Sequence, residues 1–152
     1  MSEQLKARIT AKGPKKILAL DGGGIRGMMT IEVLAEIENL LRQQLNKGPE
    51  FRLAQFFDFV AGTSTGAIIA ACISSGMAVS EVRDFYLSSG QEMFDKAFLL
   101  KRFRAKYEDE KLAKKLQEVF GKETTLGSDK LQTVLMDGDA QCHDRFALAD
   151  VE

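Results

Sequence analysis

Apolar residues in this chain fall into short runs and helical stripes separated by glycine-rich turns. Lys16-Ile17-Leu18-Ala19-Leu20 is a brief apolar run halted by glycines, so residues 16–20 read as a short buried strand. From about Arg26 to Asn46 the pattern is helical. Val33, Leu34, Ile37, Leu40, Leu41 and Leu45 form the apolar face, opposite Glu32, Glu36, Asn39 and Gln43. Lys47-Gly48-Pro49 supplies a glycine-then-proline stop. Phe51 to Phe57 reads as a short helical turn and Asp58 to Ala61 as a second strand. Residues 65–75 are apolar nearly all round, which predicts a buried helix closed by Gly76. Ser80 with Glu81 to Arg83 opens another helix, running to about Ser88. A further helix is expected over 108–120, with Leu112, Leu116, Val119 and Phe120 inward and Glu110–Lys114 at i,i+4. Leu131 to Met136 completes the set as a third strand.

Strands separated by helices predict an α/β fold, a three-layer sandwich with a mainly parallel sheet. Three strands leave exposed edges, which proteins usually cover or extend. Residues 137–152 offer no element to do so, and the fold is expected to be incomplete. The polar stretch 1–14, ending at Gly13-Pro14, is expected to be a flexible leader, with one domain over 15–152. A chain of 152 residues is long enough for one domain with a real core.

Composition removes several function classes. Lys plus Arg number 21 against 22 Asp plus Glu, a net charge of −1, which gives no general drive toward nucleic acid. Cys72 and Cys142 are the two cysteines, and no close Cys/His cluster exists, arguing against a disulfide scaffold and a structural zinc site; no cofactor and no metal are expected. Residues 1–14 lack the apolar core of a signal peptide. The longest purely apolar run, Ala67 to Ile73, falls far short of the ~20 residues that span a bilayer. A cytoplasmic location is the expectation, with peripheral contact at membranes if the substrate is lipid. Oligomeric state is not legible.

Two glycine-framed loops carry the candidate chemistry. Gly62-Thr63-Ser64-Thr65-Gly66 follows the second strand and opens the small-residue helix, the context of a nucleophile elbow. Gly62 and Gly66 relieve crowding at a sharp turn, and Ser64 sits at a helix N-terminus that favours negative charge. The Thr65 N–H would face the same spot. The bland alternative is a turn that only packs strand onto helix. Asp21-Gly22-Gly23-Gly24-Ile25-Arg26-Gly27 follows the first strand and opens the long helix. N–H groups near Gly23 and Gly24 fit an oxyanion, and Arg26 brings positive charge to the mouth or serves as a structural ion-pair partner.

Gly22-x-Gly24-x-x-Gly27 also reads as a dinucleotide fingerprint, which would make the chain a non-catalytic nucleotide- or anion-binding module. That reading wants an acidic residue ending the next strand. The next strand instead ends in Ala61-Gly62-Thr63-Ser64, while Glu38 and Glu50 lie in a helix and a loop.

On these motifs the chain resembles the patatin-like phospholipase family. Residues 21–27 look like its glycine-rich oxyanion loop, and residues 59–67 look like its elbow. Thr125-Leu126-Gly127 before a Leu-containing strand is similar to a later landmark. The resemblance implies a serine lipid acyl hydrolase, with Ser64 as nucleophile, Gly22, Gly23, Gly24, Arg26 and Gly27 around the oxyanion, and an acyl lipid or phospholipid substrate. It implies a Ser–Asp dyad whose aspartate is followed by Gly and then Gly or Ala. Asp137-Gly138-Asp139 is the only downstream Asp-Gly, departs at its third residue and comes early, so Asp137 is a weak candidate base. The chain is therefore expected to be the N-terminal part of that fold, truncated or inactive. His143, the sole histidine, is read as solvated. An acyltransferase would share the elbow but use a histidine base.

Two readings remain. The span 94–107 interleaves Phe94, Phe98, Leu99, Leu100, Phe103 and Tyr107 with Lys96, Lys101, Arg102, Arg104 and Lys106. It reads as an ordinary mixed helix or as an interfacial surface for lipid. Cys72 reads as a small buried packing residue.

Overall fold

The computed structural model describes residues 3–94, 114, 116–122, 124–125 and 128–137. Its elements in chain order are α1 (Glu3–Thr10), β1 (Ile17–Leu20), a 3-10 turn (Gly24–Arg26), α2 (Gly27–Gln44), a second 3-10 turn (Leu53–Gln55), β2 (Phe59–Gly62), α3 (Thr65–Ser74), α4 (Val79–Phe94) and β3 (Val134–Asp137). Residues 114 and 116–120 are also helical. Among the described residues the strands form one parallel sheet in the order β1-β2-β3, with helices on both sides, an α/β sandwich arrangement.

Parallel pairing sets the geometry of the site. Leu20, Gly62 and Asp137 stand side by side at the carboxyl ends of the three strands. The chain leaving β1 and the chain leaving β2 therefore emerge together, at the edge where open α/β sheets place their ligands. Leu18, Val60 and Leu135 share one sheet face by register, and α3 covers it. Val60, Ile69, Cys72 and Ile73 are essentially sealed from solvent there. Ile17 lies on the opposite face of β1 and is 59% exposed.

Several elements differ from expectation in instructive ways. Residues 3–10, placed in a flexible leader by their polarity, form α1: Leu5 is buried, and Arg8 donates to the carbonyls of Ala54 (2.6 Å) and Phe57 (2.9 Å). On α2 the inward face is Gly27, Ile31 and Leu34, while Val33, Leu40 and Leu45 are exposed. The apolar tally spanned more arc than one buried stripe, and the stripe runs 27-31-34-38. Position 38 carries an acid because Glu38 does the work of a cap: its two carboxylate oxygens accept the N–H groups of Leu53 and Val79, each at 3.3 Å.

The end of α2 is set by Asn46, not by Gly48. Asn46 takes the left-handed conformation (φ 51°), with its N–H on the Gln43 carbonyl (3.1 Å) and the Lys47 N–H on that of Arg42 (2.8 Å). This is a Schellman closure, in which asparagine substitutes for the usual glycine. Gly76 closes α3 with φ +80°, as its position implied. β3 begins at Val134, later than expected, because Leu131 and Thr133 are buried in the lead-in and the Thr133 hydroxyl is shared between the carbonyls of Phe57 and Asp58 (2.8 Å each). α4 runs to Phe94, past the expected end at Ser88.

Candidate active site

Ser64 has φ 52° and ψ −123° and stands between β2 and α3. L-residues rarely hold such backbone angles, which cost on the order of 1–3 kcal/mol. The surrounding contacts enforce them. The Gly66 N–H closes on the Thr63 carbonyl (2.9 Å) and the Ala67 N–H on that of Ser64 (3.0 Å), starting α3 at once. Ser64 is exposed and makes no side-chain cap bond, so its hydroxyl is free of a structural role at the helix start.

The glycines around it are required for space rather than for backbone angle. A Cβ on Gly22 would lie 2.7 Å from the Ser64 Cβ and 2.7 Å from the Thr63 carbonyl oxygen. One on Gly62 would reach 2.6 Å from the Ala67 nitrogen, and one on Gly66 would reach 2.9 Å from the Asp21 carbonyl carbon. The two loops therefore touch backbone to backbone, with Gly22 against the serine. Gly24 is different: its φ of 56° is left-handed.

Hydrogen bonds decide which N–H groups remain open. The Gly22 N–H donates to Thr63 Oγ1 (3.1 Å) and the Gly23 N–H to Thr65 Oγ1 (3.0 Å). The Gly23 N–H is thus turned toward the Thr65 side chain. The 3-10 turn makes its first bond at Arg26, whose N–H reaches the Gly23 carbonyl (3.1 Å). The N–H groups of Gly24 and Ile25 precede it, where a helix start supplies no acceptor of its own. Thr65, first residue of α3, is in the same condition. Arg26 is exposed and has no ion-pair partner among the described residues, so the structural ion pair weighed for it is not found there.

A residue that the sequence did not flag closes the site from behind. Tyr86 on α4 is buried (1% exposed), and its hydroxyl donates to the Gly24 carbonyl oxygen. Burial pushes its pKa above the ordinary value, offset in part by hydrogen bonds with the Thr65 side chain and the Gly27 backbone. Gly27 admits the ring: a Cβ there would lie 2.9 Å from Tyr86 Cζ. The available signal was Val79, Val82 and Tyr86 at i, i+3 and i+7, a buried stripe containing a polar tip that needs a partner.

Asp137 ends β3 in register with Gly62, two residues before Ser64, so its backbone stands at the same sheet edge. His143, Cys142 and residues 95–107 lie outside the described residues, as do Leu126 and Gly127. Cys72 is sealed in the core behind the serine, and desolvation pushes its thiol up to about 12. Among the described residues no group of three or more His, Cys, Asp or Glu could hold a metal ion. No helix among them is long and apolar enough to cross a membrane.

Sequence comparison agrees with this geometry. The patatin-like phospholipase family profile matches residues 18–146. A patatin-like protein 1 from Oryza sativa subsp. indica is 37% identical over 125 residues, covering 71% of this chain and 30% of the relative. A cGAMP-activated phospholipase from Vibrio cholerae is 29% identical over 135 residues (82% and 38%), and Patatin-17 of Solanum cardiophyllum is 34% identical over 112 residues (69% and 28%). The chain thus spans about a third of the length of these relatives. Both loops lie inside the matched span, and the chain belongs to the patatin-like phospholipase family.

Proposed function

We propose that this chain carries the nucleophile and oxyanion parts of a serine hydrolase acting on acyl lipid or phospholipid esters. The observation that carries the reading is Ser64: an exposed hydroxyl held at φ 52°, ψ −123°, with Gly22 of the neighbouring loop pressed against its Cβ. A turn serving only to pack strand onto helix has no use for a serine in a backbone region that glycine fills without strain. Phospholipases among the relatives support a lipid ester as substrate.

In this mechanism Ser64 Oγ attacks the ester carbonyl carbon while a base takes its proton. The carbonyl π electrons move onto oxygen, and that oxyanion accepts hydrogen bonds from the open N–H groups of Gly24, Ile25 and Thr65, with Arg26 at the mouth. Collapse expels the alcohol, protonated by the base, and water then releases the acid from Ser64. Such donors are typically worth about 3 kcal/mol each. Asp137 is the carboxylate that the sequence offers as base, and its Gly-Asp continuation departs from the Gly-Gly or Gly-Ala of the family pattern.

The nucleotide-binding alternative loses ground on two counts. Glu38, one of the acids available to hold a ribose, has both oxygens on backbone caps. The N–H groups of Gly22 and Gly23 are engaged by threonines. We further propose a cytoplasmic protein that meets membranes peripherally through 94–107. Lys101→Glu with Arg102→Glu should weaken co-sedimentation with anionic vesicles, and equal binding would remove that role.

A fluorophosphonate probe followed by mass spectrometry tests the central reading. The expected result is an adduct on Ser64 that is absent in Ser64→Ala. An unlabelled Ser64, or thermal stabilisation by nucleotides that Gly24→Ala abolishes, would overturn it.

A further inference from the structure

The glycine loop is held by a directed chain of hydrogen bonds that leaves it and returns to it. The Gly23 N–H donates to Thr65 Oγ1 at 3.0 Å. The Thr65 side chain and the Tyr86 hydroxyl are themselves hydrogen-bonded. Tyr86 Oη donates to the Gly24 carbonyl oxygen. Each hydroxyl has one proton to give. With Tyr86 giving its proton to Gly24, Thr65 gives its own to Tyr86 and still accepts from Gly23. The chain begins and ends in one loop and passes through the first residue of α3, directly after Ser64.

We propose that Tyr86 is a positioning residue for the oxyanion site: through Thr65 and the Gly24 carbonyl it fixes the Gly24–Ile25 peptide so that the Ile25 N–H faces the acyl oxygen beside Ser64. The proposal rests on the hydrolase reading above. In a trans peptide the C=O and the following N–H point in opposite directions, and no cis bond occurs among the described residues. A carbonyl drawn toward Tyr86 therefore turns the Ile25 N–H away from α4, toward the open side of the loop. Gly24, at φ 56°, sits in a region that glycine enters and leaves easily; within the turn the Gly27 N–H also reaches its carbonyl, and Tyr86 adds a second bond to that oxygen from α4. Tyr86 is buried against α2, and Gly27 lacks a side chain where its ring passes. Phenylalanine would fill the same space without the tether.

The test compares Tyr86→Phe, Thr65→Val and Thr65→Ser in the 152-residue chain. Two measurements are made: the rate of fluorophosphonate labelling at Ser64, resolved into maximal rate and half-saturating concentration, and amide exchange at Gly23 and Arg26. Tyr86→Phe and Thr65→Val should each lower the maximal rate roughly tenfold or more, the loss expected when oxyanion donors are misplaced, and leave half-saturation within about twofold. Thr65→Ser should restore it, and the Tyr86→Phe/Thr65→Val double variant should lose no more than either alone, because one chain is broken once. Amide exchange at Gly23 and Arg26 should accelerate in step. If Tyr86→Phe fails to fold, Thr65→Val against Thr65→Ser decides the matter. Unchanged labelling and unchanged exchange in Tyr86→Phe would overturn the proposal. Absence of any Ser64 adduct in the unaltered chain would instead overturn the hydrolase reading, and exchange would then decide by itself whether Tyr86 holds the loop.

Discussion

Replacing Ser64 by glycine should make the protein more stable, and replacing it by alanine should not. Ser64 holds φ 52° and ψ −123°, a conformation costing about 1–3 kcal/mol for an L-residue and almost nothing for glycine. Against that gain, glycine adds roughly 0.5–1 kcal/mol of chain entropy to the unfolded state. The hydroxyl makes no cap bond and is exposed, so removing it forfeits no native contact of that kind. The net for Ser64→Gly is a stabilisation of about 1 kcal/mol, or roughly 2–4 °C in Tm at this chain length. Ser64→Ala keeps the Cβ and therefore the strain, and should melt near the unaltered protein. Both variants should lose fluorophosphonate labelling. Parallel thermal melts followed by circular dichroism read the difference. A glycine variant melting at or below the alanine variant would show that the turn stores no strain, and the argument that function retains a serine there would fall with it.

Three further outcomes follow from named contacts. Gly24→Ala should lower Ser64 labelling far more than Gly23→Ala, because only Gly24 has a left-handed φ while Gly23 is extended at φ 176°; equal effects would refute this. Glu38→Ala removes the acceptor for the Leu53 and Val79 N–H groups and should cost about 1–2 kcal/mol, seen as a lower urea midpoint with unchanged slope; an unmoved midpoint would show the caps to be idle. Cys72 has its thiol pKa raised from 9.0 to about 12 by burial, so its contribution is full below pH 9 and is lost as pH rises toward about 12. Alkaline unfolding should therefore be steeper across that window in the unaltered protein than in Cys72→Ala, and identical profiles would contradict the burial.

Where local chemistry decides structure, the sequence was readable. The run 16–20 and the stretch before Gly62 became neighbouring parallel strands, because short apolar runs ended by glycine admit few alternatives between helices. The wedge of Gly22 against Ser64 was legible only as two loops in a strand-to-helix context; that they touch follows from the pairing of Leu20 with Gly62, a long-range fact. The capping role of Glu38 was not legible, because a carboxylate that accepts N–H groups at two distant helix starts leaves no local signature. Tyr86 was missed for the same reason. Its partners are 59 to 62 positions earlier in the chain for Gly24 and Gly27 and 21 earlier for Thr65, and spacing within α4 shows only that it faces inward. α1 was not legible because a mostly polar eight-residue helix is docked through one buried leucine and two arginine-to-carbonyl bonds.

The remaining question is what takes the proton from Ser64, and the answer predicts how fast this chain turns over. A serine hydroxyl is a weak nucleophile until a positioned base accepts its proton. No histidine occurs among the described residues, since His143 is the only one in the chain. Asp137 reaches the right edge of the sheet, paired with Gly62, but the residues after it do not follow the family pattern for the base. With the oxyanion donors in place and the base ineffective, a residual acceleration of about 10³–10⁴ over water is the usual level. The expected behaviour is slow probe labelling at Ser64 with p-nitrophenyl butyrate turnover close to that of Ser64→Ala. Asp137→Asn should leave the labelling rate unchanged. Ser64-dependent turnover that disappears in Asp137→Asn would refute this, and would make Asp137 the partner that completes a working Ser–Asp dyad within these 152 residues.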